Sequence, residues 1–206
     1  MPVPAVFLDK DGTLVEDVPY NVDPGRIRLA PGAAEGLRLL HRAGYRLFVV
    51  SNQSGVARGY FPERALTAVA ERLRHLLAGC AVPLAGFYYC PHHPAGAVEE
   101  HAVVCACRKP APGLLLRAAR EHGVDLARSW LVGDILDDVE AGRRAGCRTI
   151  LVDNGHETEW VLRPERVPHR IASDLLDAAR LIADYGRREA LPSIAPRRPL
   201  AAGDRA

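Results

Sequence analysis

The chain has 206 residues, 48% hydrophobic and 25% charged, with a formal net charge of +2. This length can bury a core without a disulfide framework, and the composition argues against global disorder. No apolar run approaches the roughly 18 residues that a membrane helix needs, and no charged region precedes the first short apolar run, so we expect a cytoplasmic protein without a membrane partner.

Short apolar strand patterns alternate with helix-period segments along most of the chain. The strand patterns cover residues 6–8, 47–50, 87–89, 130–132 and 149–152, and the helix patterns cover 33–43, 62–78, 112–122 and 138–145. A glycine follows each helix pattern, where positive φ ends a helix readily. This order predicts an α/β fold: a Rossmann-like, doubly wound parallel sheet with helices on both faces and ligands bound beyond the carboxyl ends of the strands.

Two long segments interrupt the alternation, at residues 12–31 and 90–112. The first is polar and is a candidate loop over a site, and neither segment is a large cap domain. We expect one domain over residues 1–185. Residues 186–206 contain five arginines, two acidic residues and three prolines, which predicts a flexible basic tail. The nearly neutral body gives no footprint for nucleic acid.

Acidic, hydroxyl and lysine side chains follow the predicted strands. Asp9 and Asp11 come directly after the first strand, Ser51 ends the second, Lys109 follows a cysteine-rich segment, and Asp134 follows the fourth strand. Paired carboxylates suit Mg²⁺ and separate nucleophile and acid–base roles, while a hydroxyl suits phosphate oxygens. Each feature alone has a structural explanation as a turn, a cap or a surface charge. Together, in this order, they favour a catalytic site.

The segment at about residues 90–109 contains three cysteines and a histidine that match a structural zinc site: Cys90, His92, Cys105 and Cys107. Three thiolates and an imidazole fill a tetrahedron and leave no vacant position. The one-residue gaps are tighter than in common zinc fingers, and His93 is an alternative ligand. Because this loop has little apolar content, a metal would replace a core and hold Arg108 and Lys109 toward the site.

Five segments together resemble the haloacid dehalogenase superfamily of phosphohydrolases, and within it the branch of heptose bisphosphate phosphatases and histidinol-phosphatases. They are residues 9–13, 51–59, 89–94, 105–110 and 132–134, and the resemblance runs from about residue 5 to 155. It implies that Asp9 is a nucleophile that forms an aspartyl-phosphate and that Asp11 is the acid and base. Ser51 and Lys109 would stabilise the phosphoryl group.

The resemblance also implies the metals. Mg²⁺ would be bound by Asp9, Asp134 and the backbone carbonyl of Asp11. The zinc loop would use His92, which occupies the ligand position of the family motif, rather than His93.

Within this branch the chain is most similar to the heptose enzymes, which implies loss of the C7 phosphate of D-glycero-D-manno-heptose 1,7-bisphosphate in nucleotide-activated heptose biosynthesis. Histidinol phosphate is the alternative substrate. A non-catalytic, zinc-containing binding module is the alternative from another class. No oligomer interface is evident in the sequence, so a monomer is the default expectation.

Without a large cap, short loops must contact the sugar phosphate. The expected substrate-binding residues are Asp17, Tyr20, Asn52, Gln53, Ser54 and Arg108. The guanidinium of Arg108 could bind a second, non-reacting phosphate. Ile135 stands where heptose members of the branch often have a basic residue, so a side-chain charge that would bear on substrate affinity is missing at this position.

Overall fold

The computed structural model describes residues 2–161 and 163–190 of the chain. Six strands form one parallel sheet in the order β3-β2-β1-β4-β5-β6. Their bounds are β1 Ala5–Leu8, β2 Arg46–Asn52, β3 Leu84–Cys90, β4 Trp130–Gly133, β5 Arg148–Val152 and β6 Arg170–Ala172. The central strands β1 and β4 are buried along their whole length, which explains their uninterrupted apolar sequences.

Five helices cover the two faces of this sheet. Their bounds are α1 Ala33–Arg42, α2 Ala65–Gly79, α3 Gly113–His122, α4 Leu136–Ala145 and α5 Leu175–Ala190. On one face α1, α2 and α5 pack on the sheet, through residues such as Leu37, Leu73 and Ile182. On the other face α3 and α4 pack on Phe7 and Phe48. This arrangement confirms the predicted doubly wound fold.

The register brings the ends of the central strands together. Leu8 of β1 pairs with Val49 of β2 on one side and with Val132 of β4 on the other. The strand order reverses direction at β1, so the crevice beyond β1 and β4 is the place where open α/β sheets bind ligands. The fold therefore predicts a site at this edge before any side chain is considered.

The two long segments are folded connections. In the first, Leu14, Val15 and Ile27 are buried in the core, and Val15 forms an antiparallel bridge with Leu29. The second contains a short 3₁₀ turn at Glu99–His101. Neither of these described segments forms a separate cap layer.

Some boundaries differ from the sequence prediction. Helix α2 begins at Ala65, three residues after the predicted start, and α4 begins at Leu136, two residues before it. Strand β6 and helix α5 have no counterpart in the predicted elements. The predicted start of the tail, residue 186, falls inside α5, and residues 191–206 lie outside the described residues. None of the described helices has the length and hydropathy to cross a membrane.

Candidate active site

The ends of β1, β2 and β4 bring the predicted catalytic residues to one edge. Asp9 follows β1 and is held there by its backbone N–H, which donates to Val132 O at 2.9 Å. Ser51 lies near the end of β2 and Asp134 directly after β4, and both are buried. Lys109 reaches the same place from the segment after β3, and its ammonium contacts the Asp9 carboxylate.

Lys109 is enclosed by anionic and carbonyl oxygens. Its side chain is 2% exposed, and its Nζ lies 2.5 Å from Asp138 Oδ1 and donates to Val50 O at 3.1 Å. Burial by itself lowers the pKa of this ammonium, but the carboxylates of Asp138 and Asp9 more than offset that effect, so the pKa is raised. The lysine is therefore a fixed positive charge beside Asp9.

Asn52 fixes the backbone of Lys109. Its Nδ2 donates to Lys109 O and its Oδ1 accepts from Lys109 N, both at 3.0 Å. This two-point contact joins the end of β2 to the loop that carries the lysine. Asn52 was predicted to bind substrate, but here its side-chain amide is hydrogen-bonded to the backbone of Lys109.

Three carboxylates form a cluster that could hold a cation. One oxygen each from Asp9, Asp134 and Asp138 lies within 4.8 Å of the others. Burial, followed by the charge of Asp9, raises the pKa of Asp134 to about 6. Burial also raises the pKa of Asp138, although the Lys109 ammonium opposes it. Hard oxygen ligands in a crowded anionic pocket are the donor set that Mg²⁺ prefers.

Asp138 is a site residue that the sequence analysis did not assign. It lies in the first turn of α4, four residues after Asp134, and its other oxygen accepts from Ile135 N at 3.4 Å. Two acids spaced four residues apart across the start of a helix could have indicated a site residue. The same spacing is explained equally well by carboxylates that stabilise the positive end of the helix dipole. Its ion pair with Lys109 reveals the second role.

Asp11 lies beside the cluster, contacted on both of its oxygens. Gln53 Nε2 donates to Asp11 Oδ2 at 3.2 Å and to Ser51 Oγ at 2.8 Å, and the ammonium of Lys10 contacts Asp11 Oδ1. Burial raises the pKa of Asp11, and the charge of Lys10 opposes that rise. A raised pKa suits a carboxyl group that must be protonated for part of a cycle.

The chain has two lysines, Lys10 and Lys109, and both are buried here against carboxylates. Arginine supplies every other permanent side-chain cation of the sequence. An ammonium is a compact point charge, whereas a guanidinium is a planar fork. Lys109 was predicted as a site residue, and Lys10 was not.

The remaining predicted substrate residues are exposed or half-buried. Asp17 and Tyr20 are exposed on the loop after β1, and the Tyr20 ring packs edge-on against Tyr60 with 4.7 Å between centroids. Ser54 and Arg108 are half-buried, and Arg108 Nη1 lies 3.5 Å from His92 O. Burial raises the pKa of Asp137, and the charges of Arg166 and Arg108 oppose that rise, so the Arg108 guanidinium lies within electrostatic reach of this carboxylate.

The cysteine segment folds into a compact ligand cluster: Cys90, His92, Cys105 and Cys107 each offer one atom within 4.8 Å of the others. The three sulfurs are 3.2 to 3.5 Å apart, and Cys107 Sγ lies 3.4 Å from His92 Nδ1. A tetrahedron with Zn–S bonds of about 2.3 Å has edges of about 3.8 Å, so the cluster has nearly the right size. His93 lies outside this group.

A doubly wound sheet that gathers a carboxylate pair, a serine and a buried lysine at its switch point defines a hydrolase of the haloacid dehalogenase type. A family model described as HAD-hydrolase-like matches residues 106–178. In Salmonella typhi, D-glycero-β-D-manno-heptose-1,7-bisphosphate 7-phosphatase is 42% identical over 169 residues, 78% of this chain and 90% of the relative. The Escherichia coli K12 protein of that name is 43% identical over 78% of this chain and 88% of its own length.

The chain belongs to this family of phosphatases. Among solved structures, D,D-heptose 1,7-bisphosphate phosphatase from B. bronchiseptica, complexed with magnesium and phosphate, superposes with a TM-score of 0.71 at 30% identity, over 88% of this chain and 99% of that one. The family confirms the predicted class of enzyme, a phosphatase, and disfavours the non-catalytic module.

Proposed function

We propose that this phosphatase removes the C7 phosphate of D-glycero-β-D-manno-heptose 1,7-bisphosphate. The observation that carries the proposal is the meeting of Asp9, Asp11, Ser51, Lys109 and Asp134 at one sheet edge, in a chain whose relatives are named for this reaction. The sequence alone left the anomer open, and the relatives' names support the β form.

In the proposed mechanism, an Asp9 carboxylate oxygen attacks phosphorus and forms an aspartyl-phosphate, while the C7 alkoxide leaves. Asp11 donates a proton to this alkoxide and then takes a proton from the water that hydrolyses the intermediate. Lys109 and Ser51 bind the phosphoryl oxygens. Positioning and charge neutralisation supply most of the rate in phosphoryl transfer.

Mg²⁺ fits this site because Asp9 and Asp134 present carboxylate oxygens to one small space. The backbone carbonyl of Asp11 would complete the protein ligands, as the family resemblance implies. When bound, the ion supplies positive charge to the phosphoryl oxygens. We assign Asp138 to Lys109 rather than to the metal, since one of its oxygens pairs with the Lys109 ammonium and the other accepts from Ile135 N.

Zn²⁺ is the proposed occupant of the cysteine cluster. Three thiols and an imidazole form a closed, structural ligand set, and burial raises the pKa of the Cys90 thiol, so a metal must displace its proton. The backbone N–H of Arg108 points to Cys105 Sγ at 3.4 Å, which connects the cluster to the residue preceding Lys109.

Substrate choice is proposed to depend on Arg108. The half-buried guanidinium stands beside the site and can bind the C1 phosphate of a bisphosphate. Histidinol phosphate has only one phosphate and would leave this cation without a partner. Asp17, Tyr20 and Ser54 would contact the sugar from the rim.

The test measures phosphate release from the α and β anomers of the bisphosphate and from histidinol phosphate, with and without Mg²⁺. We expect the β anomer to have the highest kcat/KM and Asp9→Asn to retain its circular dichroism spectrum without turnover. Activity in metal-replete Asp9→Asn would contradict the mechanism, and a preference for histidinol phosphate would contradict the substrate. The expected monomeric state stays a prediction that size-exclusion chromatography checks.

A further inference from the structure

A short turn after β5 reaches the active site, although none of its residues belongs to the family motifs. We call residues 153–157 the β5 turn. Three of its side chains make contacts of 2.6 Å. Asn154 Nδ2 donates to Gly12 O, and Glu157 Oε2 accepts from Leu136 N. Between them, His156 Nδ1 lies 2.6 Å from Asp134 Oδ2. One turn therefore binds the loop after β1, the residue after β4 and the start of α4.

We propose that His156 is a positioning residue that fixes the carboxylate of Asp134 for the cation. This inference rests on the proposed Mg²⁺ site. For the 2.6 Å contact to be a hydrogen bond to a carboxylate, the imidazole proton lies on Nδ1. The other oxygen, Asp134 Oδ1, accepts from Thr13 Oγ1 at 3.2 Å. Donors at both oxygens define the plane of the carboxylate.

The backbone of Gly12 packs closely against this pair. A Cβ added at Gly12, whose φ is 81°, would overlap both Asp134 Oδ2 and the His156 ring. The Asp134 side chain is 6% exposed and the His156 side chain is 37% exposed, so the imidazole lies between the buried carboxylate and solvent. The histidine thus covers Asp134 on the side of the β5 turn.

His156 also supplies a basic group that the local motif lacks. Ile135, which directly follows Asp134, is apolar, whereas His156 contacts Asp134 from 22 residues after it. Asn154 and Glu157 hold the turn on either side of it, so the imidazole is presented by an anchored segment. Partners that orient a metal ligand in this way typically change metal affinity 10- to 100-fold when they are removed.

The test measures Mn²⁺ binding to the full chain by electron paramagnetic resonance, with Mn²⁺ standing in for Mg²⁺ on oxygen ligands. We expect His156→Ala to weaken Mn²⁺ binding about 10- to 100-fold. At saturating metal, kcat should fall only a few-fold. His156→Gln, which keeps an N–H donor, should recover most of the affinity. Asn154→Ala should weaken binding in the same direction, by about 3- to 10-fold, because it frees the turn without removing the imidazole.

The matched control is His41→Ala, which removes an exposed imidazole from α1 and should leave metal affinity unchanged. Asp134→Asn should abolish binding at this site. If wild type and His156→Ala bind Mn²⁺ equally, the proposal is overturned while the proposed function stands. If wild type binds no Mn²⁺ that depends on Asp134, the proposed metal site fails, and this inference fails with it.

Discussion

Replacing Lys109 with methionine should destabilise the metal-free protein strongly. The ammonium is 2% exposed and contacts Asp9 and Asp138, and one oxygen of each lies within 4.8 Å of one oxygen of Asp134. Removing one partner of a buried ion pair costs about 3–5 kcal/mol, because the other charge is left uncompensated. The free energy of unfolding should therefore fall by about 4 kcal/mol, a large part of the roughly 5–15 kcal/mol that a domain has.

The assay is urea denaturation followed by circular dichroism, in buffer freed of Mg²⁺ without stripping the cysteine cluster. Adding Asp138→Asn to Lys109→Met should recover about 1–2 kcal/mol, since one of the opposed charges is removed. Saturating Mg²⁺ should also recover stability by binding the folded state. The control is Arg117→Met, which breaks an exposed pair with Glu121 and should cost less than about 1 kcal/mol. A Lys109→Met cost no larger than the control's would refute the reasoning.

Three further changes test other contacts. Gln53→Leu removes the donor to Asp11 and should lower kcat/KM for an alkyl phosphate about 10-fold. The loss should be less than about 3-fold for p-nitrophenyl phosphate, because its leaving group needs no proton. Equal losses for the two substrates would contradict this role of Asp11. Cys107→Ser should reduce bound zinc from about one equivalent to near zero by atomic absorption and lower the Tm by several degrees. Gly12→Ala should lower the free energy of unfolding in urea by about 1–2 kcal/mol, because Gly12 has a positive φ. It should also abolish Mg²⁺-dependent turnover, because the added Cβ meets the Asp134 carboxylate. Normal kinetics would argue against that close approach.

The sheet was predictable because each central strand is buried on both faces. Such a strand consists of an unbroken run of apolar residues. Glycines such as Gly44 and Gly146 mark the helix ends at positive φ. Strand β6 gave no such signal, since two of its three residues are exposed at the sheet edge. Helix α5 was missed because its apolar face is interleaved with charged residues and leads directly into a basic segment.

The site was predictable in position but not in orientation. Residues at the carboxyl ends of parallel strands meet at one edge of the sheet. The order of strands and polar residues along the chain was therefore enough to place Asp9, Ser51 and Asp134 at that edge. The direction in which a side-chain amide points depends on how the loop around it packs. Gln53, for example, was predicted to bind substrate, but its amide donates to Asp11. Partners such as His156 come from loops whose path no local pattern encodes.

The position of Lys109 shows how this protein places a buried cation on an irregular segment. No strand or helix includes Lys109, yet its backbone is bound on both N–H and C=O by Asn52 at the end of β2. On the preceding side, the Arg108 N–H contacts the thiol cluster through Cys105. Two unrelated anchors therefore fix adjacent residues, so much of the entropy of ordering the lysine is already lost before substrate binds. The zinc ion proposed for the cysteine cluster would therefore act on Lys109 through the backbone and would not touch the phosphate, a structural role that a closed ligand set suits.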